Sequence, residues 1–147
     1  MYYFSLADWL RALYKSPQLA RYLQFNYKDH PERAMEEGGR WDVFDTPCWK
    51  RTMGTDPYLS RDPRNIGLHL CTDGFQITKR KDSPSIWPIS MNLLNLPPWL
   101  RYKAAMIFMV SLLPKEITSI DACRQALIDE LRYLYYVGIE LEDPTEQ

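Results

Sequence analysis

The sequence has 147 residues, of which 46% are hydrophobic and 25% are charged, and its formal net charge is −1. A chain of this length forms one compact domain or part of a larger one, and its apolar content argues against disorder throughout. The balanced charge excludes a polycation that binds nucleic acid by bulk charge alone, and no apolar run reaches the roughly 18 residues that would span a membrane.

Three cysteines, Cys48, Cys71 and Cys123, are an odd number without CxxC spacing. This pattern argues against a disulfide framework or a zinc ribbon, and it favours a reducing compartment. Asp8 and Arg11 interrupt the apolar stretch at the N-terminus, which is not typical of a signal peptide. We therefore expect a protein of the nucleus or cytoplasm that is not secreted and has no membrane partner.

Two helices are predicted at the N-terminus. Ser5 is a suitable N-cap with Asp8 three residues later, and an apolar face follows at helical spacing. Its members are Leu6, Trp9, Leu10 and Leu13. Ser16-Pro17 ends this helix and begins a second one, because proline suits the first helical position.

Residues 29–65 lack regular periodicity and contain many turn-forming residues. A structureless loop of this length inside a compact domain is unusual. We therefore expect short helices docked by Trp41, Phe44 and Trp49, including one that begins after Thr46.

The middle of the chain predicts three strands that run antiparallel, over residues 66–77, 85–96 and 102–113. Pro88 lies inside the second strand, which favours an edge position or a bulge there. In the third run, residues 104–109 are also compatible with a buried helix. Ile139 to Glu142 are compatible with the start of a further strand.

A long helix is predicted to begin after Thr118 or Ser119 and to end at Gly138. Its apolar stripe consists of Ile120, Cys123, Leu127, Leu131 and Leu134. The predicted fold class is therefore α+β, with N-terminal helices, a three-stranded antiparallel meander and a long helix packed on it. We divide the chain into a helical and irregular segment, 1–65, and a core, 66–147.

Asp73 is the main candidate for a functional residue, because it ends an apolar strand and precedes a glycine. A carboxylate held at a strand end is a good metal ligand, but Asp-Gly is also a common hairpin turn. His69, Cys71 and Asp73 alternate onto one face of the strand. Three ligands from one strand rarely converge on one ion, so we do not expect these three to form a zinc site.

Lys79, Arg80 and Lys81 form a basic run between the first two predicted strands. Such a run contacts nucleic-acid phosphates in some proteins and is simply a solvated turn in many others. The sequence contains no P-loop, GxGxxG or HExxH motif. These residues alone therefore predict an α+β domain without an assigned function.

Five short motifs follow one another along the chain: Asp73-Gly74, Trp87-Pro88, Asn95-Leu96-Pro97-Pro98, Leu113-Pro114 and Asp129-Glu130-Leu131. With the stretches FSLADWLRALYKSPQLARYL, WDVFDTPCWKR and RNIGLHLCTDGF, they resemble CACTA-type (En/Spm-like) transposases of the kind abundant in fungal genomes. The resemblance extends from about Phe4 to Glu142. Each motif is weak by itself, and their common order carries the resemblance.

The resemblance implies an RNase H-like domain whose first catalytic acid and metal ligand is Asp73, with Mg²⁺ or Mn²⁺ as cofactor in a complete enzyme. Lys79, Arg80 and Lys81 are then the expected DNA-binding residues, and the expected partners are DNA and a full-length transposase. The family's second acid is expected on a strand beyond the long helix and its third on a later helix, and the chain ends before either. Asp121, Asp129 and Glu130 lie on the preceding helix and Asp143 lies in the tail, so we do not expect them to replace these acids.

We therefore expect a truncated fragment that is inactive by itself, binds no metal and uses no small-molecule cofactor. The alternative hypothesis is a non-catalytic DNA- or protein-interaction module derived from a transposon.

Overall fold

The computed structural model describes residues 2–24, 42–59, 61–62, 64–76, 78, 85–114, 121–142 and 144. It has an α+β fold, as predicted. The helices are α1 (Leu6–Tyr14), α2 (Pro17–Leu23), α3 (Pro47–Thr55), α4 (Pro98–Arg101) and α5 (Asp121–Tyr136). The strands are β1 (Tyr2–Tyr3), β2 (Leu68–Thr72), β3 (Phe75–Gln76), β4 (Ser85–Leu93) and β5 (Ile107–Pro114).

The strands form one antiparallel sheet in the order β1-β5-β4-β2, and β3 also pairs with β4. The predicted meander is confirmed, because β2, β4 and β5 are neighbours in chain order. The two-residue strand β1 was not predicted. It pairs Tyr2 with Leu112 and Tyr3 with Ser111, which ties the N-terminus to the edge of the sheet.

The third strand begins at Ile107, later than predicted. The preceding segment contains α4 and a 3₁₀ helix, Ala104–Met106. Pro98 is the first residue of α4, the position where its missing N–H costs no hydrogen bond. The alternative prediction of a buried helix over residues 104–109 is wrong, because only Ala104–Met106 form a 3₁₀ turn and the chain is a strand from Ile107 onward.

Pro88 does not lie on an edge strand, because β4 has β5 on one side and β2 and β3 on the other. The predicted irregularity is present: the β4–β5 register shifts between Ile89 and Ser90, which leaves Val110 as an extra residue in β5. Val110 is fully buried, and its carbonyl accepts a hydrogen bond from the N–H of Phe4 at 2.9 Å. The bulge therefore connects β5 to the chain that follows β1.

Both predicted N-terminal helices are confirmed together with their caps. The Ser5 side chain accepts a hydrogen bond from the Asp8 N–H at 3.3 Å, and Pro17 occupies the first turn of α2 after the cap Ser16. The short helix after Thr46 is also confirmed as α3, since the Thr46 hydroxyl accepts from the Trp49 N–H at 3.2 Å. These caps explain where the helices begin.

Residues 29–65 are called the connector below. Of the three aromatic anchors predicted for it, Phe44 is buried and Trp49 is half-buried, whereas Trp41 lies outside the described residues. The two described rings meet edge to face with centroids 6.2 Å apart. A 3₁₀ helix, Val43–Asp45, holds Phe44 in place. The connector is therefore anchored at this point by its aromatic residues.

One hydrophobic core joins α1, α2 and α5 to one face of the sheet. Its buried members are Leu6, Leu10, Leu13, Tyr14, Ala20, Leu23, Ile89, Met91, Leu93, Leu96, Val110, Leu113 and Leu127. From the predicted stripe of α5, Leu127 is buried and Leu131 and Leu134 pack against this core. The predicted caps Thr118 and Ser119 lie outside the described residues.

Gly138 has a φ of 84°, and its N–H donates to the Tyr133 carbonyl at 3.2 Å, which confirms the predicted end of α5. Residues 139–142 continue in irregular structure and do not form a strand. In the described part of the chain, no helix is both long and apolar enough to cross a membrane.

Candidate functional site

The candidate site lies where the strand containing Asp73 is interrupted. β2 and β3 both pair with β4, and they do so in one continuous register. Thr72 lies opposite Ile89, and Phe75, three residues later, lies opposite Ile86, three residues earlier. The two short strands are therefore one strand that loses regular pairing at Asp73 and Gly74. The alternative of an Asp-Gly hairpin turn is wrong, because the chain does not reverse direction here.

Pro88 explains the interruption. The Leu94 N–H donates to the Gly67 carbonyl at 2.8 Å, which identifies these residues as a hydrogen-bonded pair of the antiparallel ladder. Such pairs recur at every second residue, and the register places Pro88 opposite Asp73 in one of them. Proline has no N–H to donate, so the ladder is broken beside Asp73.

The Trp87 side chain covers Gly74, the second residue of the interruption in the strand. A Cβ atom added to Gly74 would lie 2.6 Å from Cε2 and 2.7 Å from Cζ2 of the Trp87 indole. The glycine therefore allows the indole to lie directly on the backbone. The Trp87 side chain remains 44% exposed, so an aromatic surface borders the position of Asp73.

The Asp73 carboxylate is exposed, and its Oδ1 accepts a hydrogen bond from the Gly74 N–H at 2.8 Å. Within the described residues it forms no salt bridge. This contact leaves most of the carboxylate's acceptor capacity open to solvent or to a ligand.

His69 and Cys71 precede Asp73 on the same strand. The Cys71 Sγ lies 3.7 Å from Nδ1 and 3.9 Å from Nε2 of His69. Among the residues that the structure describes, no group of three His, Cys, Asp or Glu side chains could hold a metal ion. Lys79, Arg80 and Lys81 lie outside the described residues, so their relation to Asp73 stays a prediction.

Glu130, from the Asp129-Glu130-Leu131 motif, has a structural role that the sequence did not indicate. Its carboxylate accepts hydrogen bonds from the Tyr3 hydroxyl, from Ser5 Oγ at 2.8 Å, and from the N–H groups of Leu6 and Ala7 at 3.0 and 3.1 Å. It therefore caps the N-terminus of α1 from a different helix. Burial by itself would raise the pKa of Glu130, but these hydrogen bonds outweigh it and hold the pKa below its ordinary value.

Arg101, which follows the Asn95-Leu96-Pro97-Pro98 motif, is only 2% exposed. Its guanidinium forms two hydrogen bonds with the carboxylate of Asp42, at 2.7 and 2.6 Å, and it also donates to the carbonyls of Leu94 and Leu96. This pair joins the connector to the turn after β4.

The motif residue Asn95 is fully buried: it accepts from the Gly67 N–H at 2.7 Å and donates to the Asn65 carbonyl at 3.0 Å.

A second polar contact joins the connector to the end of α5. The Tyr135 hydroxyl donates to Asp56 Oδ2 at 2.6 Å, which raises the pKa of Tyr135 to about 12 and, with the Leu59 N–H, lowers the pKa of Asp56. Nearby, a cavity of about 550 Å³ has mostly leucine and isoleucine walls and lies between α1 and α5. Asp73 is not among its lining residues.

Comparison with known proteins assigns the chain to a class. A family model described as transposase family tnp2 matches residues 41–147, which is well over half of the sequence. The protein is therefore transposon-derived. It belongs to the transposase family tnp2. No curated protein and no solved structure matches the sequence.

Proposed function

We propose that this member of the tnp2 family derives from a CACTA-type (En/Spm-like) transposase of the fungal type. We further propose that β2, β4, β5 and α5 correspond to the first half of an RNase H-like catalytic domain. The order of elements supports this, because three antiparallel strands are followed by a helix in the chain. The site also supports it, because the exposed carboxylate of Asp73 lies directly after the first of these strands.

The observation that carries the proposal is the contrast between Asp73 and Glu130. Glu130 is engaged at the N-terminus of α1, whereas Asp73 is exposed beside a break in the sheet. Asp73 would ligate Mg²⁺ or Mn²⁺, which prefer oxygen ligands. Such ions, when bound by a complete set of carboxylates, activate the attacking hydroxyl and stabilise the leaving oxygen in DNA strand cleavage and joining.

We expect this chain by itself not to cleave DNA. A two-metal site requires several carboxylates, and the described residues include no three-ligand group around Asp73. One carboxylate with water holds Mg²⁺ only weakly, because this ion gives up its hydration shell reluctantly. Activity in the nucleus would then require a full-length transposase that supplies the remaining ligands.

A nuclear magnetic resonance titration with Mn²⁺ tests the assignment of Asp73. A paramagnetic ion at this carboxylate broadens the amide signal of Gly74, whose N–H contacts Asp73, before signals elsewhere in the chain. Asp73→Asn should remove this broadening. Glu140→Gln, a control at another exposed carboxylate, should retain it. Broadening that persists in Asp73→Asn would contradict the assignment.

DNA binding by Lys79, Arg80 and Lys81 is tested by salt dependence. Each phosphate contact contributes about 0.9 to the slope of log K against log salt concentration. Replacing all three residues with alanine should therefore reduce the slope by about 2 to 3. The control replaces three exposed cations elsewhere, Lys50, Arg51 and Lys103, and removes the same charge. Equal losses in both variants would indicate attraction by net charge alone.

The alternative, a non-catalytic interaction module, is favoured by one feature of the sheet. Ile107 and Met109 are 42% and 43% exposed on the face opposite to the core, and such residues are common in protein interfaces. Mixing the chain with a full-length transposase whose own residue equivalent to Asp73 is replaced by asparagine separates the two functions. Mg²⁺-dependent nicking that Asp73→Asn abolishes in the mixture supports the catalytic proposal, whereas complex formation without any effect of Asp73 on nicking supports the module.

A further inference from the structure

We propose that His69 and Cys71 form half of a Zn²⁺ site, and that two copies of this chain pair through β2 to complete it. The assembled site would have two imidazoles and two thiolates. This site is separate from the metal-binding role proposed for Asp73, and its existence does not depend on that role.

The distance between the two side chains is the first argument. Two ligands of a tetrahedral zinc ion, with Zn–S and Zn–N bonds of ordinary length, lie about 3.6 Å apart. The Cys71 Sγ is 3.7 Å from Nδ1 and 3.9 Å from Nε2 of His69. His69 is exposed, so its ring can turn to direct either nitrogen at an ion beside the sulfur. One strand therefore already presents two ligands at the required spacing.

The chemistry of the pair is the second argument. A thiolate and an imidazole are ligands that bind Zn²⁺ far better than Mg²⁺. A closed structural zinc site needs four such ligands, and no group of three is present among the described residues of one chain. Two more ligands of the same kind must come from elsewhere, and a second copy of the same strand supplies an identical pair.

The outer edge of β2 is the third argument. Within the described residues β2 pairs only with β4, so its other edge has no neighbouring strand. The β2 sequence LHLCT contains no charged residue and no proline, which are the features that protect edge strands from pairing. This edge is therefore suited to accept another strand.

The hydrogen-bonding pattern determines how two copies would pair. Because Gly67 forms a hydrogen-bonded pair with Leu94, the odd-numbered residues of this strand direct their backbone groups toward β4. The even-numbered residues consequently direct their backbone N–H and C=O groups away from β4, toward the free edge of β2. These residues are Leu68, Leu70 and Thr72. An antiparallel pairing around a two-fold axis at Leu70 satisfies all of these outward groups.

This pairing places the ligands together. With Leu70 opposite its own copy, His69 lies opposite Cys71 of the second copy, and Cys71 lies opposite the second His69. Both pairs are of the non-hydrogen-bonded type, in which Cα atoms approach to about 4.5 Å and side chains are closest. All four ligands are on one face of the joined sheet, and zinc binding converts both thiols to thiolates with release of their protons.

Zinc titration of the untagged chain tests the proposal, in the presence of a phosphine reductant that prevents disulfide formation. Sedimentation velocity should show a monomer that becomes a dimer on addition of Zn²⁺, with one zinc ion per two chains. Co²⁺ in place of Zn²⁺ should give the thiolate-to-metal absorption band expected for two sulfur ligands. This spectrum examines the ligand set in the wild-type chain, without any substitution.

Four substitutions complete the test. His69→Ala and Cys71→Ser should each abolish zinc-dependent dimerisation without changing the melting temperature of the metal-free chain. Cys48→Ser, at an exposed cysteine outside the proposed site, should leave dimerisation unchanged. Leu70→Lys retains both ligands but places two ammonium groups opposite each other at the two-fold axis, so it should block the dimer.

Several results would overturn the proposal. They are the absence of zinc binding, one zinc ion per monomeric chain, a dimer that forms without zinc, and zinc-dependent dimerisation that survives Cys71→Ser. Loss of the dimer in Cys48→Ser would also overturn it, because it would assign the ligand to a different cysteine.

Discussion

Replacement of Glu130 by alanine should destabilise the protein more than any exposed substitution on α5. The substitution removes four hydrogen bonds from the N-terminus of α1 and its preceding residues, and it leaves the N–H groups of Leu6 and Ala7 without this acceptor. Loss of a helix N-cap costs about 0.5 to 2 kcal/mol, and hydrogen bonds to a charged group contribute about 1.5 to 3 kcal/mol. Because Glu130 is only half-buried, we discount these values and expect a loss of about 2 to 3 kcal/mol.

Asp129→Ala is the matched control, because Asp129 is the neighbouring carboxylate and is exposed. Asp129 accepts a hydrogen bond from Gln125 at 2.8 Å within α5, a type of pair that contributes about 0.2 to 0.5 kcal/mol. Urea unfolding followed by circular dichroism gives both free energies of unfolding. A loss in Glu130→Ala no larger than that in Asp129→Ala would refute the capping role of Glu130.

The pH dependence gives an independent measure of the same contact. The pKa of Glu130 in the folded protein lies below the ordinary value of 4.5, so its ionised form stabilises the fold. This stabilisation is fully present above the pKa of the unfolded chain and is lost as the pH falls through the lower pKa of the folded protein. The difference in stability between wild type and Glu130→Gln should therefore be constant near pH 7 and shrink below about pH 4.5. A difference that stays constant down to pH 2 would contradict the assignment.

Four other substitutions test the remaining contacts. Arg101→Met leaves a nearly buried carboxylate without its partner and should cost about 3 to 5 kcal/mol in urea unfolding; a cost below about 1 kcal/mol would contradict the role of this pair. Gly67→Ala places a Cβ 2.3 Å from the Trp49 indole, so it should cost about 1 to 3 kcal/mol and change tryptophan emission. Gly54→Ala, whose new Cβ contacts nothing, should stabilise α3 instead by about 0.5 to 1 kcal/mol. Asp73→Ala should change the stability by less than about 1 kcal/mol, because the exposed carboxylate loses only a local hydrogen bond; a larger drop in melting temperature would indicate a structural role.

Local signals explain which elements were predictable. The caps at Ser5, Ser16 and Thr46 act on residues two or three positions away, so the sequence contains the whole interaction. Gly138 is equally local, because its positive φ ends α5 at the predicted position. The strands β2 and β4 were also identifiable, since alternation and β-branched residues are properties of the segment itself.

Contacts between distant parts of the chain explain what the sequence did not reveal. β1 is only two residues long and exists because β5 offers it an edge. Glu130 accepts hydrogen bonds from residues more than 120 positions away, and Arg101 is paired with a carboxylate 59 positions away. No local pattern in a single sequence encodes these separations. The edge position inferred for Pro88 failed for the same reason, because a strand's neighbours depend on the whole sheet.

The motif residues differ in what holds them in place, and this difference bears on the site. Asn95 is fully buried and Glu130 is half-buried, and each forms several hydrogen bonds to other parts of the chain, which gives it a structural reason to be there. Gly74 also has a structural reason, because only a residue without a side chain accommodates the Trp87 indole. Asp73 is exposed, and its contact to Gly74 would be formed equally well by asparagine. Within the described residues the charge of Asp73 forms no salt bridge, so the structure shows no contact of this side chain that asparagine could not make. The proposed role as a ligand of a divalent cation would use this charge.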